Sequence, residues 1–213
     1  MSWYKKMALS KNICFFVDLD ETLVSSENFS TIVMSNSYGK KYSDLLIEQK
    51  KNILDDQGYK IVCDEETNNP LVSKLRPFAK EFLSFLSNLG KVYLCTSAQQ
   101  DYADGVLKAF GLDSYFTEKY YRHNINGFSI KPCDNFFLID DLDFVDLNKK
   151  FQFLGAPRNV ARFEDDEEYE QKKEMIRQNY SPRHIQVRPY LGSDNDNELS
   201  NIMGKINELV QKI

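Results

Sequence analysis

The sequence predicts an α/β domain built on a parallel sheet, and three observations carry that reading. Short continuous apolar runs occur at Asn12–Val17, Lys91–Cys95 and Phe136–Ile139, the composition of strands buried on both faces inside a parallel sheet. Helical periodicity separates the runs, and strand–helix–strand alternation is the pattern of parallel crossovers. Each run also stops at polar or acidic residues, where ligands bind in open α/β sheets.

The elements follow in order. Asn12–Val17 is the first strand and ends at Asp18. Pro77–Leu89 reads as a helix because Phe78, Phe82, Phe85, Leu86 and Leu89 fall on one stripe, with Pro77 at the first position and Gly90 just past the end. Lys91–Cys95 is the second strand and leads into Thr96 and Ser97. Asp101–Phe110 is a second helix, with Tyr102, Val106, Leu107 and Phe110 apolar and Gly111 as its stop. Phe136–Ile139 is the third strand and stops at Asp140 and Asp141. Asn197–Ile213 closes the chain as a helix whose apolar stripe includes Leu199, Ile202, Ile206 and Val210.

Two stretches fall outside this scheme. Residues 25–73 hold strand-like pieces at Phe29–Met34 and Tyr59–Cys63 with an amphipathic piece around Leu45, Leu46, Ile53 and Leu54, and read as an insertion over one end of the sheet. Residues 156–184 form an extra surface segment. Within it, residues 164–178 run from acidic to basic, the order that suits a solvated helix and its dipole. The expected organisation is a single domain over residues 1–213.

Composition narrows the function. With 42% hydrophobic and 28% charged residues in 213, the chain can bury its own core and lacks the signature of disorder. A formal charge of −5 argues against a general grip on nucleic acid. No run is long enough to span a bilayer, and the first residues are not signal-like, so an intracellular place, cytoplasmic or nuclear, is expected. Cys14, Cys63, Cys95 and Cys133 lack zinc spacing and read as buried thiols in a reducing compartment. His123 and His184 have no partner at ligand spacing and read as structural or exposed.

The chemistry lies at the strand ends. Asp18, Asp20, Thr22, Thr96, Ser97, Asp140 and Asp141 can converge on one small site at the carboxyl edge of the sheet. Aspartates directly after buried strands lose hydration unless they are paired or bind a cation, so several together ask for a metal. Oxygen ligands suit Mg²⁺, which also offsets the repulsion between acids and a phosphate. A carboxylate held close could attack phosphorus in line, and a second aspartate two positions on, such as Asp20, could protonate the leaving oxygen. Thr96, backbone amides after Asp18 and a lysine are candidate donors to the phosphate oxygens.

Asp18-Leu-Asp20-Glu-Thr22-Leu-Val resembles the D-x-D-x-T signature of the haloacid dehalogenase (HAD) superfamily, and its D-L-D-E-T-L wording is similar to the RNA polymerase II C-terminal-domain phosphatases, the FCP/SCP or NLI-interacting-factor-like group. The likeness continues through Lys74-Leu-Arg-Pro-Phe, Leu94-Cys-Thr96-Ser-Ala, Asp101-Tyr-Ala-Asp-Gly-Val-Leu, Lys131-Pro and Leu138-Ile-Asp140-Asp141, and reaches Asp196-Asn-Glu-Leu-Ser-Asn-Ile near the end.

The resemblance implies a three-layer Rossmann-like HAD core with a central parallel sheet and a small insertion after the first strand. It implies Asp18 as the nucleophile that becomes phosphorylated and Asp20 as general acid and then general base. The Asp18 carboxylate, the Asp20 backbone carbonyl and Asp141 would hold Mg²⁺, with Asp140 close behind. Thr96, with Ser97 beside it, and Lys131 would bind phosphate oxygens, while Thr22 would order the loop after the nucleophile. The group usually has Asp-Asn in the fourth motif, whereas this chain reads Asp140-Asp141-Leu-Asp143, so Asp143 is a rival ligand or an extra surface acid.

The function so implied is a protein phosphatase acting on phosphoserine or phosphothreonine in a flexible segment, with Tyr120, Tyr121 and Phe128 bordering a peptide groove. The alternatives are a phosphatase for a small metabolite or a nucleic acid end, and a non-catalytic module that keeps the fold and recruits a partner.

Overall fold

A computed structural model describes residues 12–28, 54–64, 69–122, 135–142 and 183–213. The architecture is α/β around a central parallel sheet. The strands are β1 (Ile13–Val17), β2 (Val24–Asn28), β3 (Tyr59–Asp64), β4 (Asn69–Leu75), β5 (Lys91–Cys95), β6 (Glu118–Tyr120), β7 (Asn135–Asp140) and β8 (His184–Gln186). The helices are α1 (Ala79–Leu89), α2 (Gln100–Phe110) and α3 (Glu198–Gln211). Five strands form the parallel sheet in the order β6-β5-β1-β7-β8, and β2, β4 and β3 form a separate antiparallel sheet with β4 in the middle.

β1 lies at the centre, and its five residues are all buried, as its unbroken apolar composition requires. Ile13, Phe15 and Val17 face the main core. They share one cluster with Phe137 and Ile139 of β7, Phe82, Leu83 and Leu86 of α1, Val106 and Leu107 of α2, and Leu199, Ile202 and Ile206 of α3, and Phe15 stacks on Phe137. The opposite face is aromatic, with Phe16 stacked on Tyr93 at 5.0 Å and set edge-on to Phe136 at 6.3 Å. Burying each such ring contributes roughly 1.5–3 kcal/mol.

Two glycines let the chain turn within this packing. A Cβ on Gly90 would lie 2.3 Å from the Ile13 carbonyl oxygen, so only glycine allows α1 to deliver β5 beside β1. Gly111 ends α2 in the left-handed region at φ 66°, with its N–H donating to the Leu107 and Lys108 carbonyls.

Several expectations change. The first helix begins at Ala79, because Pro77 is followed by Phe78 in the left-handed region at φ 66°. Phe78 therefore leaves the apolar stripe and is 44% exposed. β2 and β4 carry no clear strand signal in the sequence, since Val24–Asn28 is mostly polar and β4 carries Pro70 near its start. β6 and β8 are three residues each, too short to show periodicity. Cys14 is disulfide-bonded, which corrects its reading as a thiol and removes that support for a reducing compartment. Only the fold can bring a strand cysteine within the ~5.5–6 Å Cα separation a disulfide needs. Cys95 is a buried free thiol.

Phe29–Met34, Leu45–Ile53, the 164–178 helix, His123, Phe128, Lys131 and Asp143 lie outside the described residues. Among the described residues no helix is long and apolar enough to cross a membrane.

One buried cation joins distant parts of the chain. The Arg76 side chain is fully buried just past β4 and donates from Nε and Nη2 to both carboxylate oxygens of Asp196, at 2.9 and 3.0 Å. Its Nη1 donates to the Thr22 carbonyl at 3.1 Å, and its Nη2 to the Arg188 carbonyl at 2.8 Å. The guanidinium also lies 5.4 Å from the Tyr190 ring centroid. Burial alone would raise the Asp196 carboxyl, but the bonds from Arg76 and the Glu198 amide hold it below the usual carboxylate range. Arg76→Met would leave Asp196 and these carbonyls without their donor. We expect it to lower unfolding free energy by about 3–5 kcal/mol in urea titrations; a loss under about 1 kcal/mol, the scale of an exposed pair, would show that the clasp is not structural.

Candidate active site

The parallel ladder sets the first two acids side by side. Val17 of β1 pairs with Ile139 of β7, and the Asp18 N–H donates to the Ile139 carbonyl at 3.0 Å. Asp18 therefore leaves β1 next to Asp140, the last residue of β7, and Asp141 follows at the same edge. Carboxylate oxygens of Asp18, Asp140 and Asp141 all lie within 4.8 Å of one another. Asp18 and Asp140 are buried at 5% and 1% exposure, and Asp141 is half-buried.

The loop after Asp18 is a tight hydrogen-bonded turn. Leu19 accepts from the amides of Leu23 and Val24, and Glu21, at φ 57°, donates its N–H to the Val24 carbonyl at 2.7 Å. Leu19 and Leu23 are fully buried and anchor the turn in the core. The turn places the Thr22 hydroxyl where it donates to Asp141 Oδ1 at 3.2 Å, so Thr22 orders the loop by tying it to the far strand's acid. Asp140 is held in turn: its Oδ1 accepts the Leu142 N–H at 3.0 Å, and its carbonyl accepts the Val187 N–H at 2.9 Å.

Asp20 points to a different partner. Its Oδ1 accepts the Tyr102 hydroxyl of α2 at 2.5 Å, and it is not one of the three clustered carboxylates. Thr96 leaves β5 at the same carboxyl edge, since Leu94 of β5 pairs with Val17 of β1. Thr96 is 1% exposed, and its Oγ1 accepts the Ala98 N–H at 3.1 Å, which leaves the hydroxyl hydrogen able to donate elsewhere. Ser97 is exposed, and its carbonyl accepts from Arg122 Nε at 2.8 Å.

Tyr121 corrects an expectation. It is 4% exposed and its hydroxyl donates to Asp104, so it belongs to the core rather than to the wall of an open groove. Tyr120 is half-buried and donates to Glu118 at 2.7 Å. His184 lies in the short strand β8, where it pairs with Leu138 of β7.

Nothing in the sequence marks Tyr102, Ser26, Ser73, Arg76 or Arg122 as part of a polar network. Tyr102 fits the apolar stripe of its helix and reads as packing, and its polar partner lies 82 positions away. Arg76 stands in the quoted Lys74-Leu-Arg-Pro-Phe stretch, but nothing in that spacing says that the charge is buried.

The cluster fits a small divalent cation. Ligands on opposite sides of a Mg²⁺ at ~2.1 Å stand about 4.2 Å apart, and three carboxylate oxygens already meet within 4.8 Å. Without such a charge the acids burden one another. Burial first, and the charge of Asp18 second, push the Asp141 carboxyl up to about 6. Asp18, Asp140 and Asp141 are thus the carboxylates that could hold a metal, with one of them left able to attack a bound electrophile.

Residues 13–212 match one family model, described as NLI interacting factor-like phosphatase. Two solved structures share the architecture. A variant of the fission yeast RNA polymerase II CTD phosphatase Fcp1, bound to beryllium fluoride, superposes with a TM-score of 0.56 at 17% identity, over 98% of this chain and 65% of that one. A second structure of Fcp1, described as an essential RNA polymerase II CTD phosphatase, gives 0.55 at 20% identity, over 98% and 64%. This chain thus spans under two thirds of those chains, and at such identities the likeness is one of fold. No curated protein matches the chain.

The raised Asp141 carboxyl sets a pH dependence whose sign follows from linkage. Between the ordinary 3.8 and about 6, the folded chain binds a proton that the unfolded chain has released. In the absence of divalent ions, stability should fall as pH rises through that window and then level off. Thermal melts of Asp141→Asn should lose this falling limb; a limb of unchanged slope would show that Asp141 is not its source.

Proposed function

The chain belongs to the NLI interacting factor-like phosphatase family, and from that premise we propose that it is a Mg²⁺-dependent phosphomonoester hydrolase that works through an aspartyl-phosphate on Asp18. The observation that carries this reading is the meeting of Asp18, Asp140 and Asp141 within 4.8 Å at the carboxyl edge of the sheet. A dianionic ester cannot approach three carboxylates unless their charge is offset. Mg²⁺ bound among them, with the Asp20 backbone carbonyl as a further oxygen ligand, would supply that offset and withdraw charge from phosphorus.

The chain's own residues carry the remaining steps. A carboxylate oxygen of Asp18 attacks phosphorus in line, forming the Asp18–phosphate bond as the ester P–O bond breaks. Asp20, protonated at this stage, gives its proton to the departing alkoxide, which leaves as an alcohol. Asp20 then takes a proton from a water whose oxygen attacks the same phosphorus, releasing inorganic phosphate and restoring the Asp18 carboxylate. Thr96 and Lys131 would donate to the phosphate oxygens, with Ser97 beside them. The Thr96 hydroxyl suits this role because its oxygen is already fixed by the Ala98 amide. Thr22 and Arg76 act behind the site by keeping the nucleophile's loop in shape.

The substrate class we propose is phosphoserine or phosphothreonine in a protein segment. Its support is the family and the fold-level likeness to phosphatases described as acting on the RNA polymerase II CTD.

Hydrolysis of p-nitrophenyl phosphate should require Mg²⁺, stop on chelation and return when the ion is restored. Asp18→Asn should lower turnover at least about a thousandfold while leaving the melting curve intact, as expected for removal of a nucleophile. Beryllium fluoride with Mg²⁺ should stabilise the native chain against heat, and Asp18→Asn should abolish that stabilisation. A chain that turns over no phosphate ester with Mg²⁺ present would be a binding module. Among phosphopeptides, sugar phosphates and nucleotide ends, the phosphopeptides should give the highest kcat/KM.

A further inference from the structure

The hydroxyl of Tyr102 has more work than packing requires. Its ring belongs to the main core, and the residue is 6% exposed. A phenol placed only to fill space would leave its oxygen to find any nearby partner. Here the oxygen is 2.5 Å from Asp20 Oδ1 and 2.5 Å from Ser26 Oγ, and Ser26 Oγ is 2.8 Å from Ser73 Oγ. Ser26 and Ser73 are cross-strand partners in the β2–β4 pair, and Ser73 is fully buried.

The single phenolic hydrogen goes to Asp20 Oδ1, which accepts it both when the carboxyl is ionised and when its proton sits on the other oxygen. Ser26 then donates to the phenol oxygen and Ser73 to Ser26, so three hydroxyls line up with every donor directed toward Asp20.

A second contact joins the same two bodies. Gly105, one turn after Tyr102 on α2, is so close to β3 that an added Cβ would lie 2.6 Å from Val62 Cγ1. Residues three apart on a helix share a face. The face of α2 that presents Tyr102 is therefore pressed directly against the antiparallel sheet that supplies Ser26 and Ser73.

From this geometry we infer that Tyr102 is a positioning residue: its hydroxyl, backed by Ser26 and Ser73, fixes the carboxyl group of Asp20 and ties that placement to the seating of the antiparallel sheet on α2. The inference rests on the proposed role of Asp20 as proton donor to the leaving oxygen. Anchoring Oδ1 restricts rotation of the side chain, and a proton donor displaced by a fraction of an ångström loses much of its effect. The sheet made of residues 24–28, 59–64 and 69–75 would then act on the chemistry through this contact.

The test compares leaving groups. An alkoxide needs a proton as the ester bond breaks, whereas p-nitrophenolate leaves with little help. The ratio of kcat/KM for a phosphoserine peptide to that for p-nitrophenyl phosphate therefore reads the placement of the acid. Tyr102→Phe keeps the ring and removes one oxygen. We expect kcat/KM to fall about tenfold or more on the phosphopeptide, part of the 10²–10⁴ that general acid catalysis supplies, and less than about threefold on the aryl ester. Equal losses on both substrates, or no loss on either, would overturn the inference while leaving the Asp18 mechanism standing. A native chain inactive on both substrates would overturn that mechanism and this inference with it. If Tyr102→Phe lacks a cooperative thermal transition, Ser26→Ala carries the same comparison: a loss confined to the phosphopeptide supports the relay, and a uniform or absent loss overturns it.

Discussion

The register between β1 and β7 is the constraint on which the rest depends. Val17 pairs with Ile139, and the Asp18 amide continues the ladder to the Ile139 carbonyl. The first residues past that ladder are then carboxylates set beside each other by backbone hydrogen bonds. Side-chain attraction has no part in it, and the acids would separate if free to do so. The buried apolar runs hold them in place, because sliding either strand by one residue would turn its alternating side chains to the wrong face.

The same edge is braced by neutral donors. The Thr22 hydroxyl on Asp141 and the Leu142 amide on Asp140 each stabilise a charge without cancelling it. Arg76 works one layer further out. It is the fully buried guanidinium that draws the Thr22 carbonyl, the Arg188 carbonyl and Asp196 onto a single point, so the nucleophile's loop is tied to the last segment of the chain. A positive charge placed there binds backbone oxygens and Asp196, and so stays out of direct competition with a cation for the three acids.

The antiparallel sheet stands in a different relation to the core. It meets α2 through Gly105 and Val62 and reaches the acidic edge through the Ser26–Tyr102–Asp20 contacts. The part of the chain least anticipated in type is thus in direct contact with one of the acids anticipated first. Fold and site are joined here by hydroxyl groups, whose directional bonds transmit position more sharply than apolar packing does.

The amino-acid sequence alone determined the three inner strands, the helices that separate them and the acids that follow them. Burial on both faces leaves an unbroken apolar run, and a parallel sheet presents its ligands at one edge. Lys91–Cys95 has the anticipated bounds, and the other long elements shift by one or two residues, because periodicity is strong in long segments and weak at their ends. It also named Asp18, Asp140 and Asp141, which the fold brings together. Tertiary structure alone decided the rest. β2, β4, β6 and β8 exist because a neighbouring strand accepts their hydrogen bonds, and Arg76 is buried because Asp196 arrives 120 positions later. Tyr102 shows the reason most plainly: its position in the chain defines a ring on an apolar stripe, while the partner of its hydroxyl is a matter of three-dimensional neighbours that no local pattern encodes.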